Sequence, residues 1–191
     1  MEYLSTNDHS LLLSKQNYIT LSFDYNKSAI LKILENVPVP NLVVSCNKSI
    51  IAKIGMILGS KLPIHTILYF KLQPTVNSII HIDKNSKDPT AFQAMFALNL
   101  PLINSDEVLM SWYSKNSLDV DTDAFIGPNG SSTPSISKDN VTCIDQTYYS
   151  NPHIVKINDW HSVENQSTTG VAQFISLRFV EPLDQVLSSF S

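Results

Sequence analysis

"VNSIIHID", residues 76–83, is the stretch on which the reading of this chain turns. Its isoleucines at 79, 80 and 82 favour extended backbone. Side chains alternate faces along a strand, so His81 and Asp83 leave one face together while Ile80 and Ile82 leave the other. An imidazole and a carboxylate side by side at a strand end suit two ligands of one metal ion. They equally suit a satisfied histidine beside a turn-forming aspartate, and the pair alone leaves both readings open.

On both sides of this stretch the chain continues in strands. "PIHTILYFKL" (63–72) precedes it, and "AFQAMFALNLPLI" (91–103) and "EVLMSWYS" (107–114) follow it, the last after the turn signal Asn104-Ser105-Asp106. "TCIDQTYYS" (142–150), "PHIVKIN" (152–158) and "VAQFISLRFV" (171–180) read as further strands. The polar stretches 119–140 and 159–170 read as loops, with the Gly, Pro, Asn and Ser content of exposed chain. Upstream, "NYITLSF" (17–23) reads as a strand and "NLVVSC" (41–46) as a strand or buried connection. "NKSAILKILEN" (26–36) has the apolar spacing of a one-sided helix, stopped by Pro38 and Pro40. "NKSIIAKIGMILGS" (47–60) reads as a second helix, with Asn47 as cap and Gly59 near its end. Pro182 opens a short terminal helix over 182–190. Helices first and then many strands predict a mainly β protein, a double-stranded β-helix (jelly-roll, cupin-like) barrel with flanking N-terminal helices. The expected organisation is one domain over 1–191: supporting elements to 62, the barrel core over 63–180, and a tail or helix over 181–191.

Bulk properties narrow the function. The 191 residues are 43% hydrophobic and 16% charged, with net charge −4 and a pI near 5.6. An acidic balance argues against general nucleic-acid binding and against an anionic membrane surface. No apolar run reaches the length of a bilayer span, and "MEYLSTNDHSLLLSKQN" has no basic, apolar leader pattern. Cys46 and Cys143 fit no zinc or disulfide spacing, so a reducing, cytoplasmic setting is expected, the host cytoplasm if the source is viral. Twelve lysines stand against one arginine, Arg178, in a chain rich in Asn, Ser and Ile. That bias fits AT-rich coding of viral or bacterial type.

A metal held by His81 and Asp83 needs a third ligand. His9 lies near the N-terminus, His65 stands on a strand with no Asp, Glu or second His beside it, and His161 falls in the polar stretch 159–170. His153 enters a strand after Pro152, and strands that far apart in sequence can be neighbours in a barrel. His153 is therefore the expected third ligand, against the alternative of a half-exposed histidine at a strand entry. In "FISLRFV", Phe174, Ser176 and Arg178 share a face. An arginine in an apolar strand suits bidentate carboxylate recognition, or a structural ion pair.

The ordered series "IIHID", "FALNLPLINSDEVLMSWYS", "SNPHIVKIN" and "FISLRF" resembles the Fe(II)/2-oxoglutarate-dependent dioxygenase superfamily. It is most similar to small phage, viral and bacterial members distantly related to aspartyl/asparaginyl β-hydroxylases. The likeness covers about residues 63–180. It implies a double-stranded β-helix with Fe(II) held by His81, Asp83 and His153, 2-oxoglutarate chelating that metal, and O₂ as oxidant. It also implies that Arg178, Asn99 and Ser176 bind the co-substrate and that Trp112 or Tyr113 borders the cavity, although core packing is the better reading of both aromatics. One departure is plain. The family usually carries an Arg or Lys shortly after its distal histidine, to anchor the far carboxylate of 2-oxoglutarate. Here position 163 is Val, Lys156 and His161 are the nearby cations, and Ala172 falls where the anchor belongs if 159–170 is an insertion.

Three functions follow as expectations. The first is hydroxylation of a small-molecule or peptide substrate, with release of succinate and CO₂. The second is a cupin-like metal protein that does not use 2-oxoglutarate, and the third a non-catalytic jelly-roll or virion-associated protein. The stretches 119–140 and 159–170 are the expected selectors of substrate.

Overall fold

The computed structural model describes residues 16–39, 42–83, 95–126 and 132–190. Among them, twelve strands form two six-stranded antiparallel sheets packed as a sandwich. In chain order they are β1 (Tyr18–Thr20), β2 (Val43–Ser45), β3 (Thr66–Leu72), β4 (Ile80–His81), β5 (Phe96–Ile103) and β6 (Val108–Lys115). β7 (Asp123–Ile126), β8 (Ser132–Ile136), β9 (Val141–Tyr148), β10 (His153–Lys156), β11 (His161–Asn165) and β12 (Ala172–Arg178) follow. One sheet runs β1-β10-β5-β12-β3-β2 and the other β7-β8-β4-β11-β6-β9. The order β3-β12-β5-β10 facing β4-β11-β6-β9 is a double-stranded β-helix, because the chain keeps crossing between sheets and returns late strands beside early ones. That return lays β12 against β3, and β11 against β4.

The first sheet is covered on both faces. Its outer face carries α1 (Lys27–Leu34), α2 (Lys48–Leu58) and α3 (Leu183–Ser189). Ile30 and Leu34 of α1, Ile54 of α2 and Val186 of α3 share a core with Leu98, Leu100, Ile175 and Leu177. The inner face packs Ala97, Val155, Ala172 and Phe174 against Met110, Trp112 and Val163 of the second sheet. Burial on both sides is why β5 reads as a nearly continuous apolar run, interrupted by Asn99. Local signals hold the helices. The Asn26 side chain accepts from Ala29 N–H at 3.0 Å, and the Asn47 side chain accepts from Ile50 N–H at 3.0 Å. Gly59 ends α2 with φ +62°, a left-handed conformation that glycine adopts without strain. Among the described residues no helix is long and apolar enough to cross a membrane.

Two stretches expected as loops carry strands. The stretch 119–140 contains β7 and β8, and 159–170 contains β11. β11 reads as "HSVEN", polar in four of five positions, yet His161, Ser162, Val163 and Asn165 are all buried. Their polar groups are satisfied inside the protein. Asn165 Nδ2 donates to the carbonyls of Leu72, Gln73 and Gly170 at 3.1, 3.1 and 2.8 Å. A strand whose inward groups are hydrogen-bonded polar side chains has the composition of a loop. β4 is also shorter than the extended run 76–83. Before it, Ser78 N–H donates to the Val163 carbonyl at 2.8 Å, so the chain stays on β11 without forming a regular ladder.

Candidate metal centre

β4 lies between β8 and β11, and its last residue is His81. The first residue of β11, His161, is paired directly across from it. Directly opposed residues in an antiparallel pair have neighbouring side chains. Here the two imidazoles lie 4.5 Å apart between ring centroids. Two residues beyond His81, the Asp83 backbone N–H donates to the Ile157 carbonyl at 3.0 Å and turns its carboxylate toward the rings. Asp83 Oδ1 is 3.1 Å from His81 Nε2 and 3.8 Å from His161 Nε2. One ligand atom from each residue falls within 4.8 Å of the others, a grouping with the separations of a metal site.

Hydrogen bonds orient both rings. His81 Nδ1 lies 2.9 Å from the Ile79 carbonyl, and His161 Nδ1 lies 2.9 Å from the Asp159 carbonyl. A carbonyl oxygen only accepts, so each Nδ1 carries its proton and donates it. In the neutral rings, both Nε2 atoms then present lone pairs toward Asp83. This backbone anchoring is the arrangement that prepares histidines for metal ligation.

The charges of these side chains hold one another in place. Burial alone would raise the Asp83 carboxyl, but the hydrogen bond from His81, the Arg178 guanidinium and the charge of the histidines hold it well below the usual carboxylate range. Burial pulls His81 down, yet the hydrogen bond and charge of Asp83 prevail and raise it above an ordinary histidine. For His161, burial and the neighbouring His81 dominate and lower it to about 4, so its ring is neutral. The shift favours the protonated form of His81 beside Asp83, and a cation bound there would compete with that proton.

Arg178 closes the group from the other sheet. Its Nη2 donates to Asp83 Oδ2 at 2.8 Å and its Nη1 donates to Ser176 Oγ. Ser176 Oγ donates in turn to Asn99 Oδ1, and Asn99 Nδ2 donates to the Tyr149 hydroxyl at 2.6 Å. Burial raises the Tyr149 phenol, keeping it neutral. These residues border a cavity of about 580 Å³ between the sheets, with walls that include Leu68, Phe70, Met110, Val163 and Phe174.

The structure brings together His81, Asp83, Arg178, Asn99 and Ser176 of the expected site residues. It does not group His153 with His81 and Asp83. His153 lies in β10, beside Asn99 in register, and its ring contacts Tyr18 and Tyr149 at 5.7 and 6.1 Å between centroids. Its Nδ1 donates to the Asn151 carbonyl at 2.6 Å and its Nε2 faces the Thr147 hydroxyl at 3.4 Å. The histidine that joins His81 and Asp83 is His161, and Tyr149 is a second cavity residue that the sequence reading did not single out. Trp112 and Tyr113 do not border the cavity. Trp112 is fully buried with its Nε1 donating to the Lys156 carbonyl at 2.8 Å, and the Tyr113 hydroxyl bonds Ser162 Oγ at 2.9 Å. His9 lies outside the described residues.

No protein-family model matches the chain, and no curated protein matches it in sequence. Among solved structures it is similar to a Pseudomonas putida prolyl-4-hydroxylase, at a TM-score of 0.44 and 8% identity, over 93% of this chain and 100% of that one. A likeness of that size carries no inference about what this chain does.

Proposed function

We propose that this protein is a mononuclear non-haem Fe(II) oxygenase that uses a 2-oxo acid as co-substrate and acts on a small-molecule or peptide substrate. Fe(II) would be held by His81 Nε2, one Asp83 oxygen and His161 Nε2. The observation that carries this reading is the convergence of two backbone-anchored imidazoles and one carboxylate on an open cavity. Two nitrogens and one oxygen on one side of a metal leave adjacent positions free for a bidentate co-substrate and O₂. The metal, when bound, supplies Lewis acidity and a place for O₂ to react.

The chain's own residues do the rest. The Ile79 and Asp159 carbonyls fix the two rings. Arg178 occupies Asp83 Oδ2 and leaves Oδ1 directed at the site. The apolar walls keep bulk water from the reacting groups. The resemblance implies 2-oxoglutarate as the co-substrate, and its two ends fit differently. The second N–H groups of the Arg178 terminal nitrogens and of Asn99 Nδ2 offer donors near the ligand cluster for a 2-oxo carboxylate. A second carboxylate finds no further Lys or Arg among the described residues of the cavity.

The test is anaerobic reconstitution with Fe(II), followed by O₂-uptake measurements with a panel of 2-oxo acids. Stoichiometric Fe(II) and O₂ uptake that depends on a 2-oxo acid are expected. Failure to retain Fe(II), or no dependence on any 2-oxo acid, would sink the proposal.

A further inference from the structure

We infer that the co-substrate pocket takes a 2-oxo monocarboxylate with an apolar chain in preference to the dicarboxylate 2-oxoglutarate. The inference rests on the metal centre proposed above and concerns the rest of the cavity. Besides the ligand cluster itself, Arg178 is the one charged side chain among the described residues lining it. Its two terminal nitrogens are engaged by Asp83 and Ser176, which fixes the guanidinium at the metal end. Away from that end the inner face of β12 changes character. Phe174 lies four residues back from Arg178, about 13 Å along the strand. Its ring stacks on Phe70 at 4.5 Å and meets the edge of Tyr149 at 5.0 Å. Leu72, Met110 and Val163 complete this wall, and Ala172 stands at the foot of the strand, fully buried.

A carboxylate placed against that wall would lose its water without gaining a counter-ion, which is strongly unfavourable for a buried charge. The Tyr149 hydroxyl, which borders this wall, is already bonded to Asn99 and turned to Met110 Sδ at 2.8 Å. A branched aliphatic or phenyl chain would instead bury apolar surface there. The cavity's size is within the range that holds small organic ligands. The matching ligand has one carboxylate, a neighbouring keto oxygen, and a hydrocarbon tail.

The experiment uses the full chain, loaded anaerobically with Fe(II) and first analysed for metal. 4-Methyl-2-oxopentanoate, phenylpyruvate and 2-oxoglutarate are then titrated in, read by the visible charge-transfer band and by calorimetry on the Zn(II)-loaded protein. At least one apolar acid should bind ten-fold or more tightly than 2-oxoglutarate. Val163→Lys, which places a cation in the wall, should narrow or reverse that ratio; if this variant does not fold, the wild-type titrations decide alone. Equal or tighter binding of 2-oxoglutarate by the wild type, or no binding of any of the three, overturns the inference while leaving the metal centre intact. Absence of bound metal at the first step overturns the metal centre and this inference with it.

Discussion

At one end of the cavity, four ionisable side chains from three strands and the β4 end meet within a few ångströms: His81, Asp83, His161 and Arg178. Along the other end, Phe70, Met110, Val163 and Phe174 present carbon to carbon. The apolar end is an extension of the core between the sheets, and folding alone accounts for it. The polar end is different. Partly buried charges stabilise a fold poorly compared with hydrocarbon of the same volume, and the proposed metal centre gives this end a role that packing does not. Substitutions at the two ends should therefore separate stability from metal binding.

The largest effect on stability is expected in the apolar wall. Phe174→Ala should lower unfolding free energy by about 4 kcal/mol and leave metal content unchanged, as read by urea unfolding and metal analysis. Loss of metal together with stability would show that the two ends are one unit. Asp83→Ala should move both readouts. It removes the ligand and leaves Arg178 without its carboxylate, at a cost of about 3 kcal/mol, near the low edge of the range because the Asp83 side chain keeps 23% of its exposure. A more instructive pair follows. His161→Ala should abolish stoichiometric metal, whereas His153→Ala should retain it, with only modest losses of stability in either. Metal retained by the first variant and lost by the second would restore the assignment expected from sequence.

Around neutral pH the smallest expected effect is the pH dependence of the metal-free protein. His161 has a folded value near 4, below an unfolded histidine, so the unfolded chain binds more protons between about 6.5 and 4. Stability must then fall as pH drops through that window. His81 is raised, so its contribution is full below the unfolded value and is lost as pH rises through the folded one. Together they give an optimum in chelator-treated protein near pH 6.5. His161→Gln should flatten the acid limb and His81→Gln the alkaline one, checked by urea midpoints across pH.

Much of the barrel was legible because the first sheet is apolar on both faces. Runs such as "AFQAMFALNLPLI" and "VAQFISLRFV" announce themselves, and so do the Asn47 cap and Gly59. The alternation that joined His81 to Asp83, and Phe174 to Ser176 and Arg178, also matches the observed faces. What escaped was β11. Its buried asparagine is satisfied by the carbonyls of Leu72, Gln73 and Gly170, its serine by the Tyr113 hydroxyl and its histidine by the Asp159 carbonyl, and such partners are invisible in a linear string. A polar strand bonded internally and a polar loop bonded to water have the same composition. With β11 read as a loop, His153 was the natural third ligand. The crossover that lays the first residue of β11 against His81 is a property of the whole topology. The departure at Val163 and Ala172 was visible from the start; in three dimensions Val163 lines the cavity and Ala172 is buried in the core between the sheets.

The most direct test of the metal centre is anomalous diffraction at the iron edge from anaerobic crystals soaked in Fe(II). A single peak is predicted about 2.1 Å from His81 Nε2, His161 Nε2 and an Asp83 oxygen, the usual length of such bonds to a divalent first-row metal. A peak at His153 instead, or none between β4 and β11 at full soaking, would contradict it.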